Sequence, residues 1–396
     1  MGLTFRGFRR ENGQIGVRNH VAIIPTSVAS SSVARAISGS VGEWARATPH
    51  QMGTSQPAVT REQTTRTLAG IGRNPNVGAA LVVELGTEDI EAEALADDIA
   101  TTGKPVETLS IRDVGGTRPA VDEGIAVARQ LNDEISSVRR EAADVSELVF
   151  GIECGGSDAT SGIASNPACG NAADRLVEHG GTACFSETPE FIGAEHILAD
   201  RCVSDELADR LLDYVDQREA MADLMGVDFR GAQPTPGNQE GGLTTIEEKS
   251  LGAIAKGGTS PVQDIVPYGS ALPAGEGLVL MDTPGYDVES VVGMVAGGAQ
   301  VIAFTTGRGS TTGNPIAPVI KVTGNPKTWE GMENNMDVDV STVFEGDSIE
   351  AAGERVFDEL LAVADGTHTE AEVRRLEEFA INEIQTNEIA ELEVRT

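Results

Sequence analysis

Short apolar runs, each ending in glycine and polar residues and most followed by a helix-like stretch, constrain this chain more than any other feature. In the N-terminal part they lie at 21–25 (VAIIP), 79–85 (AALVVEL) and 106–111, with helical patterns at 32–37, 88–101 and 120–142. The plan repeats at 148–152 (LVFGI), 182–186, 277–281 and 299–305. Runs this short without polar alternation are strands buried on both faces, and strands alternating with helices build parallel sheets. The expected fold is α/β, in two domains that each carry a mainly parallel sheet flanked by helices. A chain of 396 residues is too long for one compact core, so the division is placed at 1–145 and 146–396. Acidic amphipathic stretches at 348–363 and 369–389 read as a closing pair of surface helices.

Charge narrows the partners. Against 62 Asp and Glu stand 29 Lys and Arg, a net −33, and the lysines are confined to Lys104, Lys249, Lys256, Lys321 and Lys327. Such a surface repels nucleic acid and anionic lipid. Because the acids are scattered, they suit a protein kept soluble in concentrated salt, a halophile's cytoplasmic protein. The four cysteines have no C-x-x-C spacing and suggest neither a disulfide framework nor a zinc finger. No apolar run reaches the length of a membrane span.

Ligands of open parallel sheets sit at the carboxyl ends of strands, which makes the polar clusters there site candidates. Glu153, Cys154, Gly155, Gly156, Ser157 and Asp158, with Asn166 beyond, combine a carboxylate, a thiol, hydroxyls and backbone amides. They suit a metal or a substrate carboxylate, and equally a turn capping the next helix through Asp158 or Ser161. Glu187, Glu190, Glu195 and His196 suit a divalent metal or an acid/base pair, although a solvated helix start looks similar. Asn238, Thr244, Thr245 and Lys249 lead into a helix start: an anion cradle with Lys249 as counter-charge or base, an ordinary capping box, or both. Arg308, set between glycines, suits two-pronged binding of a carboxylate, against the commoner surface role of a loop arginine. His50 stands in a polar turn, where a lone histidine is usually structural. No G-x-G-x-x-G or Walker motif is present, and a hydrolase using Ser157 or Cys154 lacks the G-x-S-x-G elbow.

Longer strings carry a resemblance. GIECGGSD at 151–158, ETPE at 187–190, GGLTTIEEKSLG at 241–252, TGRG at 306–309 and RENGQIGVRN at 10–19 resemble the catalytic-subunit family of altronate and galactarate dehydratases over nearly the whole chain. The resemblance implies a lyase that dehydrates a sugar acid to a 2-keto-3-deoxy acid with a divalent metal, usually iron, Mn²⁺ or Mg²⁺ being alternatives. It also implies an oligomer and a separately encoded small partner subunit. The same family holds the large subunit of sulfolactate sulfo-lyase, which releases sulfite, and RRENGQIGVRNHV, GNPIAPVIK and the 337–341 string resemble that branch. Family dehydratases carry cysteines where this chain has residues 27–30, Thr54 and Thr87, so three soft ligands are absent. A non-catalytic sugar-acid-binding subunit is the alternative that this loss raises.

Elimination next to a carboxylate requires positive charge where an enediolate develops. On that ground His50, Glu153, Cys154, Asp158, Glu187 and Lys249 are assigned catalysis, and Glu187, Glu190, Glu195 and His50 the metal. The hydroxy-carboxylate is assigned to Gly155, Gly156, Ser157, Asn166, Asn238, Thr244, Thr245 and Arg308.

Overall fold

The computed structural model describes residues 2–224 and 226–383. Its larger sheet has seven parallel strands, in the order Val262–Val266, Gly277–Met281, Thr182–Phe185, Val149–Cys154, Val301–Thr305, Val319–Thr323 and Val338–Asp339. The four strands from Thr182–Phe185 to Val319–Thr323 are buried at every position; three of them fall on the apolar runs of the sequence, whereas Val319–Thr323, interrupted by Lys321, does not. Phe150 and Ile152 pack on one side with helices Asn166–Glu178 and Ile349–Asp365. Val149, Ile302 and Phe304 pack on the other with helix Asp287–Gly297. A smaller parallel sheet runs Ala45–Ala47, His20–Pro25, Val77–Glu84, Val106–Ser110. Both sheets are flanked by helices, the α/β class that the alternation predicts. Among the described residues no helix is long and apolar enough to cross a membrane.

A third sheet was not legible. Thr4–Arg9 pairs antiparallel with Ile15–Gly16 and with Glu141–Asp144. The helix expected over 120–142 therefore stops at Ile135, and its last residues become an edge strand.

The two parallel sheets share apolar core. Helix Ala58–Arg73 crosses Asp287–Gly297 so closely that a Cβ on Gly70 would lie 2.3 Å from the Ala296 carbonyl oxygen. The turn after it is a polar rivet: Asn74 Nδ2 donates to the carbonyls of Val295 (2.8 Å) and Ala299 (3.0 Å). Asn76 Nδ2 donates to those of Gln300 (2.8 Å) and Ile316 (3.2 Å).

Of the closing helices expected from the acidic pattern, the first forms as Ile349–Asp365, capped by the Ser348 hydroxyl. The second reduces to the single turn Glu370–Val373, and its expected end lies outside the described residues. From 374 to 383 the chain is a strap, because its backbone is satisfied by side chains of the N-terminal half. Gln51 Nε2 donates to the Ile381 carbonyl and Gln63 Nε2 to that of Asn382 (2.7 Å), while Ile381 itself is buried.

Candidate active site

Strand Val149–Cys154 lies between Thr182–Phe185, which follows it in the chain, and Val301–Thr305, reached only after the other half of the sheet is complete. The carboxyl end of this strand is thus a topological switch point, where open parallel sheets leave a crevice. Glu153 and Cys154 end this strand, and Glu187 follows the next one at a backbone φ of +75°. A non-glycine residue in that region costs on the order of 1 kcal/mol and persists only where its surroundings insist. Here the Glu187 amide donates to Thr283 Oγ1 (2.8 Å) and its carbonyl accepts from the Glu190 amide (2.8 Å), which aims the carboxylate back at Cys154.

Around Glu187 the structure gathers Glu153, Cys154, Glu190 and Asp287 with two lysines. Lys256 is fully buried and ion-paired with the equally buried Glu187, and its Nζ also lies 3.3 Å from Cys154 Sγ. The Cys154 thiol donates to Glu190 Oε2 (3.1 Å), and Glu190 Oε1 takes Lys249 Nζ (3.0 Å). On the far side, Glu153 Oε2 accepts from Ser290 Oγ (2.6 Å) and Ser186 Oγ (3.2 Å). Two carboxylate oxygens in this buried space, Glu153 Oε1 and Glu187 Oε1, receive no hydrogen bond from a nitrogen or hydroxyl donor among the described residues. Unpaired buried oxygens of this kind are what a bound cation satisfies, so the donor set fits the divalent metal that the resemblance implies.

Electrostatics sort the group. Burial, then the charge of Glu187, pushes the Glu153 carboxyl well above the usual range. Burial, then Glu187, also raises Asp287, to about 7. Burial pushes in the same direction on Glu190, but Lys249 and Lys256 outweigh it and hold that carboxyl below its ordinary value. Lys256 stays charged: burial opposes its ammonium, and Cys154, Glu187 and Glu190 together more than offset this. Burial above all raises the Cys154 thiol, so it is a neutral donor here and not a thiolate nucleophile.

Lys249 joins this cluster to solvent. It lines a cavity of about 230 Å³ with Ser157, Asp158 and Asn166, and a second of about 380 Å³ with Glu190, Gln233 and Tyr286. Its Nζ also donates to Gln233 Oε1 (3.2 Å).

Several residues assigned from sequence have other occupations. His50 is buried with both ring nitrogens spent on backbone: Nε2 on the Pro25 carbonyl (2.8 Å), Nδ1 accepting from the Met52 amide (3.2 Å). No lone pair is left for a metal, and burial lowers it to about 4. Glu195 bonds the Gly193 amide and faces Arg230 at 3.8 Å, outside the cluster. Asp158 caps Thr160 and Ser161 with one oxygen and takes Asn325 Nδ2 (2.8 Å) with the other. Asn166 bridges Thr305 and Gly252, and Asn238 bridges Thr235 and Ser157. Thr244 and Thr245 bond Glu248 as a helix cap. The Gly155 amide is held by the Thr305 carbonyl (3.0 Å), so it is not free to cradle an anion. Gly156 takes the positive φ of +64° that the turn needs. Arg308 is half-exposed beside Glu240 at 3.6 Å, away from the buried cluster.

Sequence reasoning misses Lys256 and Asp287. Asp287 opens a helix and looks like a capping acid. Lys256 carries a usable signal: one of five lysines in an acidic chain, set among small residues in AIAKGG.

Comparison with known proteins agrees with the resemblance. Residues 145–387 match the family described as D-galactarate/altronate dehydratase, C-terminal, and residues 7–136 match D-galactarate dehydratase/altronate hydrolase, second domain. The chain is 40% identical to the (2R)-sulfolactate sulfo-lyase subunit beta of Chromohalobacter salexigens, over 97% of this chain and 98% of that one. It is 34% identical to the altronate dehydratase of Bacillus subtilis, over 96% of this chain and 77% of the relative. With the L-threo-forming galactarate dehydratase of Escherichia coli it shares 37% identity, over 76% of this chain and 59% of the relative. The chain therefore belongs to the D-galactarate/altronate dehydratase family.

Proposed function

We propose that this chain is a metal-dependent lyase that eliminates a β-substituent from a 2-hydroxy carboxylate, in the first reading water from an altronate- or galactarate-like sugar acid, leaving a 2-keto-3-deoxy acid. The observation that carries the reading is the buried cluster of Glu153, Glu187, Glu190 and Asp287, reached from the cavities through Lys249. A divalent cation at this cluster supplies positive charge as the enediolate forms. The chain supplies the rest. Lys249 presents its ammonium to the substrate carboxylate at the cavity floor. Glu190, held ionised by Lys249 and Lys256, lines the same cavity and is the base within reach of the α-proton. Lys256 and the Cys154 thiol hold Glu187 and Glu190 in place.

A second reading is sulfite release from sulfolactate. It is favoured by one fact: the relative named a sulfo-lyase subunit is matched over 98% of its length, whereas the altronate dehydratase of Bacillus subtilis is matched over 77%. That relative's name, subunit beta, also supports a separately encoded partner chain.

An end-point assay separates the readings. The purified chain, in high salt with Fe²⁺ or Mn²⁺ and with or without a small partner subunit, is offered altronate, galactarate and sulfolactate, with 2-keto acid and sulfite read independently. Keto-deoxy acid without sulfite is the expected result. Sulfite with pyruvate establishes the second reading, and neither product leaves a binding subunit.

A further inference from the structure

Glu187 stands between two sets of metal donors, Cys154 with Glu190 on one side and Glu153 with Asp287 on the other, each set mutually within 4.8 Å. We infer that the cation binds on the Glu153–Glu187–Asp287 side through oxygen alone, and that the Lys256 ammonium is the resident cation of the Cys154 side. The inference rests on the metal-dependent reading and refines it.

On the Cys154 side the donor atoms are already engaged. Glu187 Oε2 accepts the Cys154 amide (3.0 Å) and the Lys256 ammonium. The sulfur accepts from Lys256 Nζ at 3.3 Å and donates a hydrogen bond to Glu190, whose other oxygen holds Lys249. An ion entering here must expel a fully buried ammonium and break the hydrogen bonds that already engage the sulfur.

On the other side the opposite holds. Glu153 Oε1 and Glu187 Oε1 are buried with no nitrogen or hydroxyl donor among the described residues. Ser186 and Ser290 occupy the second oxygen of Glu153 and so present the first, while Thr283 bridges Ser290 to the Glu187 amide and fixes the second wall. Asp287 completes a three-carboxylate face, and the space beside it exists because residue 155 is glycine: a Cβ there would lie 2.2 Å from Asp287 Oδ2. Counting both sides, the four carboxyl groups of Glu153, Glu187, Glu190 and Asp287 meet two ammonium groups among the described residues, Lys249 and Lys256, so acids outnumber cations in this buried space. Carboxylate oxygens alone select hard ions of the Mg²⁺ and Mn²⁺ type over thiophilic ones.

The test is metal binding, not turnover, on the full chain in high salt. Mn²⁺ is titrated with the free ion followed by electron paramagnetic resonance. Co²⁺ is titrated by absorption, because a cobalt–thiolate bond adds an intense near-ultraviolet charge-transfer band. The wild type is expected to bind one Mn²⁺ and one Co²⁺ without that band. Glu153→Gln and, at the half-buried rim, Asp287→Asn should each weaken Mn²⁺ by about 10–100-fold, and Cys154→Ser by less than about threefold. A charge-transfer band in the wild type that Cys154→Ser abolishes, or Mn²⁺ affinity indifferent to both carboxylate changes, overturns the placement while leaving metal dependence standing. No binding of either ion to the wild type overturns the metal-dependent reading and the placement together.

Discussion

At the scale of single residues, His50 and Lys256 mark the two ways in which a side chain's type misleads. A histidine in a polar turn invites a ligand role, yet His50 is buried with both nitrogens bonded to backbone, holding the turn onto the end of strand His20–Pro25. Its folded pKa of about 4 lies below the ordinary 6.5. Between those values the unfolded chain binds a proton that the folded chain refuses, so stability falls as pH falls through this window, by about 3 kcal/mol in all. The stability advantage of the wild type over His50→Gln should therefore shrink by about that amount between pH 6.5 and pH 4 in chemical denaturation. An advantage that stays constant across the window would mean that His50 is not neutral in the fold. Lys256 is the converse: in a chain with 24 arginines and five lysines, three of the lysines, Lys256, Lys104 and Lys321, are buried as compact ammonium groups. Which carboxylates such a lysine meets is decided by strands far apart in sequence, and no spacing rule reports it.

At the scale of elements, the long central strands of the two parallel sheets are the most legible part of the chain, because a strand buried on both faces announces itself as an apolar run, whereas Ala45–Ala47, Val262–Val266, Val319–Thr323 and Val338–Asp339 give no such run. Elements whose conformation depends on a distant partner were not. Glu141–Asp144 extends because Thr4–Arg9 is there to pair with it, and the strap at 374–383 leaves its acidic helical pattern because Gln51 and Gln63 satisfy its backbone. The same logic holds at the site: Glu153, Cys154 and Glu187 can be named from strand ends, whereas Asp287 arrives on a helix that sequence offers as an ordinary surface element. Helix crossings give this dependence a measurable form. Gly70→Ala drives a Cβ to within 2.3 Å of the Ala296 carbonyl and should cost about 1–3 kcal/mol, where helix propensity alone predicts a gain. Gly39→Ala, on the exposed face of helix Val28–Val41 with nothing near its added methyl, is the control and should stabilise by about 0.5–1 kcal/mol. Thermal unfolding of the pair should move in opposite directions; a shared gain would mean that the two helices do not cross as closely as the structure places them.

For the whole molecule, the net charge of −33 sets a field that the site must work against. Against 62 acids stand 24 arginines and five lysines, three of the lysines buried, so negative charge predominates in the field around the protein. Such a field destabilises the compact state through self-repulsion and holds off anions, the chemical class to which altronate, galactarate and sulfolactate all belong. Salt relieves both effects, since the screening length drops from about 10 Å at 0.1 M to about 3 Å at 1 M. The short-range pull of Lys249 on a bound carboxylate survives, because that lysine is largely withdrawn from solvent beside Glu190. Raising KCl from about 0.1 M to 1 M should therefore increase the unfolding temperature and also kcat/KM for the carboxylate substrate. The rise in kcat/KM should come mainly through KM, because repulsion acts on the approach of the anion and not on the bound complex. A neutral osmolyte matched in viscosity separates screening from general solvent effects: it should leave KM unchanged. A KM that falls equally in both would place the salt effect in the folded state and not in the field around it.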